Sequence, residues 1–379
     1  MRFFALLLWL ALVIPARADE PVTPPASSAD AFRLFAAILD QLQQHSIDPG
    51  HLEVSRHAPA AFRDLLHQLD PEIDLLTPTD LADPSPTEQQ LGLTLAIRDG
   101  KVIVIAPRDG SAAQLAGLLA GDELLGVGST LAAVRIALRT NTTIRVRDPF
   151  AIKGHDVILT PVDPSPLTNA PLKFLAPGIA YYRLAEINEA MTVALTEQLR
   201  LAAKRNTRLL ILDLRNNPGG SFDSALRMAR QFLPAKTIMA IHADADGNHR
   251  TTFTADGTGE FPASIPVTLL VNGGTAGAAE VFAAALQDNQ RARLIGSNTF
   301  GAGRLFKQFP VANNYALWLP TARCLRPTGK DITANGLTPN IPISQTRAAE
   351  RTLMIRGFAA PAVHSDPILS RAMEQNKTY

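Results

Sequence analysis

Two apolar segments, Leu209–Leu214 and Val267–Val271, each run into a glycine-bearing turn and then into a helical pattern. Such runs suit strands covered on both faces, the usual condition of a parallel sheet. Parallel neighbours need crossover connections, and helices supply them. The surrounding order fits that demand. Ile179–Leu184 reads as strand, Glu189–Lys204 as helix, Asp223–Phe232 as helix, Ala278–Gln287 as helix and Ala292–Ile295 as strand. Residues 167–345 are therefore expected to form an α/β core with a mostly parallel sheet. Its ligand site is expected at the carboxyl ends of the strands.

The segments before this core have a different character. Phe32, Phe35, Ile38, Leu39 and Leu42 repeat at three and four residues, and Asp48-Pro49-Gly50 stops the pattern. A second helix carries Ala61, Leu65, Leu66 and Leu69 and ends at Asp70-Pro71, so 29–82 reads as an N-terminal helical segment. Short strands dominate 88–163: Leu91–Leu95, Lys101–Ala106, Glu123–Val127, Ile144–Val146 and Val157–Thr160. Ser111 caps a short helix over Ala112–Ala116. Residues 346–379 read as a partly helical tail. The fold class is thus α/β in a mixed α+β, multidomain chain.

The first residues place the chain in the cell. Arg2 is followed by an apolar run from Phe3 to Ile14 and then by Ala16-Arg17-Ala18, the pattern of a secretory signal over 1–18. The run falls short of the roughly 20 residues a spanning helix needs. Residues 19–28, rich in Pro, Ser and Ala, read as a disordered lead-in. Export to the periplasm or the extracellular space is expected, with no integral span in the mature chain. With 36 Lys+Arg against 35 Asp+Glu there is no basic surface to suggest nucleic acid. Cys324 is the single cysteine, so no internal disulfide forms, and the thiol reads as a small buried hydrophobe. No metal spacing such as H-E-x-x-H occurs, and no cofactor is expected.

Two loops should carry the chemistry. Asp213-Leu-Arg-Asn-Asn-Pro-Gly219-Gly220 follows one apolar strand, and Asn272-Gly-Gly-Thr275-Ala-Gly277-Ala278-Ala-Glu280 follows the other. Backbone N–H groups at Gly219, Gly220 and Ala278, beside a helix start, suit an oxyanion or a carboxylate. A plain tight turn is the ordinary alternative for each loop alone.

Taken together the blocks become specific. LDLRNNPGG, VNGGTAGAAEVFAAALQDNQ, GSNTFGAGR and TARCLRPTGKDITANGLTPNIPI resemble, in order, the blocks of the carboxyl-terminal processing (tail-specific) serine peptidases, family S41. LGLTLAIRDGKVIVIAPRDGSAAQLAGLLAGDELL resembles that family's PDZ domain, and HAPAAFRDLLHQLDPEIDLLTPTD its preceding helical segment. The resemblance implies a serine nucleophile, a lysine base and a glutamine that orients the lysine. The positions that match are Gly277, Ala302 and Phe306. None has usable chemistry, and losing such a unit costs about 10⁶ in turnover in serine peptidases.

Substitutes are few. Thr275 offers a hydroxyl two residues before Gly277. Lys307 is expected to point away from Ala302 along a strand, while Arg304 shares its face but stays protonated. Ser221 and Ser224 lack an evident base, and His242 and His249 form a loose pair on a hairpin. The PDZ carboxylate loop is better kept: Gln90-Leu91-Gly92-Leu93 matches it, and Leu115 and Leu118 are equally candidates for pocket and core. The turn Arg139–Thr143 departs from the family's pattern. The resemblance implies capture of peptide or protein C-termini through Leu91, Gly92 and Leu93, and an active homologous protease is the second partner considered. An active serine- or threonine-dependent endopeptidase and a non-enzymatic scaffold remain the alternatives.

Overall fold

The architecture is taken from a computed structural model. It describes residues 27–45, 54–70, 72–78, 81, 91–127, 134, 137–138, 143–160, 162, 171–244, 247–257, 259–333, 335–358 and 363–375. The expected export signal, the turn at 48–50, Gln90 and Arg139–Thr142 lie outside these. The chain divides into two compact units, Met1–Ala61 and Phe62–Tyr379. Helix α1 (Ser28–His45) lies in the first, and α2 (Val54–Leu69) crosses the boundary. Both agree with the periodicity of the sequence. Among the described residues no helix is long and apolar enough to cross a membrane.

In the larger unit, β1 (Asp74–Leu76) is followed by β2 (Leu93–Arg98), β3 (Lys101–Pro107), the short helix α3 (Ala112–Leu115), β4 (Glu123–Leu125), β5 (Thr143–Arg147) and β6 (His155–Ile158). Strands β2 to β6 form one antiparallel sheet in sequence order. Leu93, Leu95 and Ile97 point inward at every second position onto Val102, Val104, Leu118 and Val146. The alternation at Leu91 starts later than the sequence suggests. Leu91 lies in a helical turn, and Gly92 turns the chain through a φ of +69° before β2 begins. Leu118 is wholly buried in this core, whereas Leu115 is exposed. The equal reading of the two therefore resolves into one core residue and one surface residue.

The second sheet holds the site. Strands β7 (Lys173–Ala176) and β8 (Ile179–Arg183), helix α4 (Glu189–Lys204), β9 (Leu209–Asp213), helix α5 (Phe222–Ala229), β10 (Ile238–Asp244), β11 (Arg250–Thr254), β12 (Val267–Val271), helix α6 (Ala278–Asp288) and β13 (Ala292–Gly296) come in this order. Then follow β14 (Arg304–Pro310), β15 (Ala316–Leu325), β16 (Ile341–Pro342) and helices α7 (Arg347–Arg356) and α8 (Pro367–Glu374). The sheet order is β16-β13-β12-β9-β8-β7, parallel except for β7. It grows in one direction, so right-handed crossovers put α4, α5 and α6 on the same face. Ala180, Tyr182, Leu210, Leu212, Leu269 and Val271 pack there against Met191, Leu195, Met228 and Phe282. The alternate residues Ile179, Tyr181, Leu209, Ile211, Leu270 and Ile295 face the other way, onto Ile368, Leu369 and Ala372 of α8. The carboxyl-terminal segment thus covers the second face of the sheet. A third sheet joins β1, β15, β10 and β11, with β14 paired to β15.

Candidate active site

Strands β9 and β12 are parallel neighbours, so the loops leaving their carboxyl ends must meet. Ala276 N–H donates to Asn217 O at 2.9 Å, and Asn216 N–H donates to Asn272 Oδ1 at 2.8 Å. Asn272 Nδ2 returns a bond to Asn216 Oδ1 at 2.9 Å. Gly219 lies at the closest approach. A Cβ there would sit 2.7 Å from Ala276 O and 2.8 Å from Ala278 N, which only glycine allows. Its N–H is not available to a ligand, because it donates to Asn217 Oδ1 at 2.9 Å. Gly220 differs. Ile187 pairs with Gly219 O and with Ser221 N–H and passes over the Gly220 N–H. Ala278 opens α6, so its N–H has no intrahelical acceptor. Of the three backbone groups singled out in the sequence, Gly220 and Ala278 N–H have no acceptor among the described residues.

Gly277 sits between them as the N-cap of α6, with φ 52° and ψ −119°. This is a region that strains any residue with a side chain. Space is not the obstacle: a Cβ there would meet only Pro218 O, at 3.7 Å. The turn thus has room for a side chain and carries only hydrogen.

A residue to which the sequence assigned no role organises the site. Glu280, fully buried, accepts from Gly277 N–H (3.0 Å), Ala302 N–H (2.8 Å) and Gly301 N–H (2.7 Å), and from the Thr299 hydroxyl. One carboxylate oxygen, Oε2, therefore ties the Gly277 turn to the Ala302 segment. Burial pushes its pKa up, against the lowering effect of those four donors. The signal in the sequence was a Glu at the third position of a helix, the capping-box position.

The other positions are apolar or already engaged. The Ala302 methyl packs into a cluster of Ile105, Ala106, Ala276 and Phe300, closed on one side by Ala96 and Ile103 from β2 and β3. Arg98 holds Phe300 in place, with its guanidinium 4.1 Å above the ring and a 2.8 Å bond to the carbonyl. Phe306 stacks on Trp318, with centroids 5.6 Å apart and planes within 5°. Thr275 is fully buried. Its hydroxyl donates to Leu214 O at 2.8 Å and accepts from Asn272 N–H at 3.1 Å. Ser221 caps α5.

The strand argument about Lys307 and Arg304 fails, because β14 begins at Arg304 and alternation does not reach back to Ala302. Arg304 instead pairs with Asp70 and Glu72, at 2.8 and 2.7 Å. His242 and His249 do lie on a hairpin, β10–β11, but they are separated in role. His242 packs on Phe222 and Phe253, whereas His249 lies 3.7 Å from Asp244.

Behind the loops lies a charged centre. Arg215 grips Asp213 through Nε and Nη2 and reaches Asp366 at 2.7 Å. Arg183 holds Asp109 at 2.9 Å and the carbonyls of Asp213 and Arg215 at 3.0 and 2.6 Å. The Tyr181 hydroxyl bonds Asp213 at 2.8 Å. These residues fix the β9–α5 loop from below.

Comparison with known proteins agrees with this arrangement. The model of peptidase family S41 matches residues 178–343, the segment that contains both loops. The carboxy-terminal-processing protease of Bartonella bacilliformis is 31% identical over 311 residues, covering 75% of this chain and 69% of that protein. The chain belongs to peptidase family S41. A chloroplastic C-terminal processing peptidase of Tetradesmus obliquus is 28% identical over 348 residues, covering 86% of this chain and 69% of the relative. The solved structure of the photosystem II D1 C-terminal processing protease superposes with a TM-score of 0.67. It is 26% identical and covers 82% of this chain and 92% of that one. The α/β core with its mostly parallel sheet is thus the S41 fold.

Proposed function

We propose that this S41 protein is exported, binds the carboxyl termini of proteins and does not cut them. One observation carries the reading: Glu280 holds the Gly277 turn beside the Ala302 segment, and neither position has a reactive group. In the family's Ser/Lys chemistry a hydroxyl at the first position attacks while a neutral amine at the second removes its proton. Here the first position offers no atom to attack with. At the second a methyl lies in an apolar cluster and offers no atom to take the proton. Gly220 and Ala278 N–H groups remain suited to a carbonyl or carboxylate, so binding does not require hydrolysis.

The sheet from β2 to β6 is read as the PDZ domain. Strand β2 stands at its edge and follows the Leu91-Gly92-Leu93 turn, the arrangement by which a peptide adds as a strand and its carboxylate meets backbone N–H groups. Domain limits remain those proposed from the sequence, except that β1 within 29–82 joins the third sheet through β15, with the signal over 1–18 and the periplasm or cell surface as destination. The buried, doubly bonded Thr275 hydroxyl argues against a threonine-dependent peptidase.

The test uses a folded protein with an apolar tail, incubated with the purified chain and followed by intact-mass spectrometry. No trimming is expected. A matching peptide with a free C-terminus should bind, and its amidated form should bind at least tenfold more weakly. Trimming that survives purification and disappears on Thr275→Ala would overturn the reading. Equal binding of the two peptides would favour a scaffold. Installing Gly277→Ser, Ala302→Lys and Phe306→Gln together should bring back measurable hydrolysis, because the Glu280 clamp that positions the first two sites is intact.

A further inference from the structure

The turn between β5 and β6 carries the two most exposed large apolar side chains among the described residues, Phe150 at 87% and Ile152 at 93%. The sequence would be expected to place polar residues at such a hairpin tip, and both side chains stay exposed although Phe150 also stands at the rim of the cavity lined by Ala120, Arg215, Asn272 and Arg347. The turn is also stiff. Phe150 N–H donates to Asp148 Oδ1 at 2.9 Å, Ala151 N–H donates to Asp148 O at 2.9 Å, and Asp148 is held by Arg347 at 2.8 Å. Arg147 braces the adjoining strand through Glu123 at 2.6 Å. Phe150 and Ile152 therefore project from a preformed tip.

We propose that this tip inserts into the surface of an anionic lipid bilayer. Shape and area select the occupant. Two side chains bury roughly 300–400 Å², about half of the roughly 800 Å² per partner of a stable protein interface. A bilayer, by contrast, takes up single apolar side chains at its headgroup boundary. Charge agrees. Asp148 and Asp156 are matched by Arg347 and by Arg145 (3.4 Å), whereas Lys153, beside Ile152, has no carboxylate partner among the described residues. The tip thus presents two apolar side chains and one unmatched cation to negatively charged headgroups. Docking there would set the chain against a membrane without a spanning helix.

The experiment compares the full chain with the double variant Phe150→Ser/Ile152→Ser by co-sedimentation with phosphatidylethanolamine vesicles, with and without phosphatidylglycerol. The apolar amino-terminal run contributes equally to both proteins. Removing both side chains should lower partitioning about a hundredfold. Lys153→Ala should lower it about fivefold, and only on the anionic vesicles. Both variants should keep the wild-type melting temperature, since the substituted side chains are exposed. A direct readout is F150W: its emission should shift to the blue on vesicle binding and be quenched by brominated acyl chains. Unchanged partitioning of the double variant, or no shift of F150W, would overturn the proposal. So would self-association in sedimentation velocity that depends on Phe150 and Ile152, because the occupant would then be a second copy.

Discussion

Two buried carboxylates a few residues from the candidate site are stabilised in opposite ways. Asp213, at the end of β9, is matched by cations. Burial alone would raise its pKa, but the charges and hydrogen bonds of Arg215, with Arg183 behind, hold it below the ordinary 3.8. Glu280 has no cation. It is surrounded by three backbone N–H groups and a hydroxyl, and burial lifts it above the ordinary 4.5 despite them. Full charges thus overcome desolvation at the first site, and dipoles alone do not at the second. The first centre is a fastening that also ties in Asp366 of the carboxyl-terminal segment. The second gives up ionic stability in order to hold two glycine-rich turns at a set spacing.

The comparison breaks most visibly at Arg215. Arg215→Met should leave Asp213 buried without its main partner and cost about 3–5 kcal/mol in chemical denaturation. A loss under 1 kcal/mol would mean that Arg183 alone suffices. Glu280→Gln should cost less, about 1–3 kcal/mol, because the amide nitrogen would face backbone donors that now meet an oxygen.

The two carboxyls also predict opposite pH slopes. Glu280, raised in the folded state, contributes stability that is present below about 4.5 and lost as pH rises through its folded value. Asp213, lowered, contributes stability that is present above about 3.8 and lost as pH falls through its folded value. Urea unfolding across pH should therefore show the Glu280→Gln variant losing the decline on the alkaline side of 4.5 while keeping the acid-side loss. Thr275→Val is a smaller perturbation. It strands Asn272 N–H, while Leu214 O keeps the Asn217 N–H, and should cost about 1–2 kcal/mol. Under the proposed function it changes no hydrolysis, so a change in product formation would count against that function. Least affected should be the lone thiol. Burial pushes Cys324 up to about 12, so it should react with a thiol reagent only after denaturation.

Much of this was readable from the chain. The apolar runs of β9 and β12 named a sheet covered on both faces, and the glycines marked the turns at their ends. The match of Gly277, Ala302 and Phe306 to the family's reactive positions was available as well. What escaped was partnership across distance. The bond from Glu280 to Ala302 joins segments 22 residues apart, and the salt bridge from Arg215 to Asp366 joins segments 151 apart. No local pattern encodes such pairs. Strand alternation misled at Lys307 because it assumed a strand where the chain at Ala302 and Gly303 is still irregular. The tail was underestimated because α8 is short, and only the open face of the sheet gives Ile368 and Leu369 their place.

The sequence by itself determined the alternation of strand and helix in the core, the parallel sheet and the absence of hydroxyl and amine at Gly277 and Ala302, because periodicity and residue identity are local properties. Tertiary structure alone decided which N–H groups find an acceptor, that Thr275 is locked inside its turn, and that the Ala302 methyl lies in an apolar cluster. Those outcomes depend on desolvation and on donors and acceptors brought together from distant parts of the chain, and burial has no value until the fold exists.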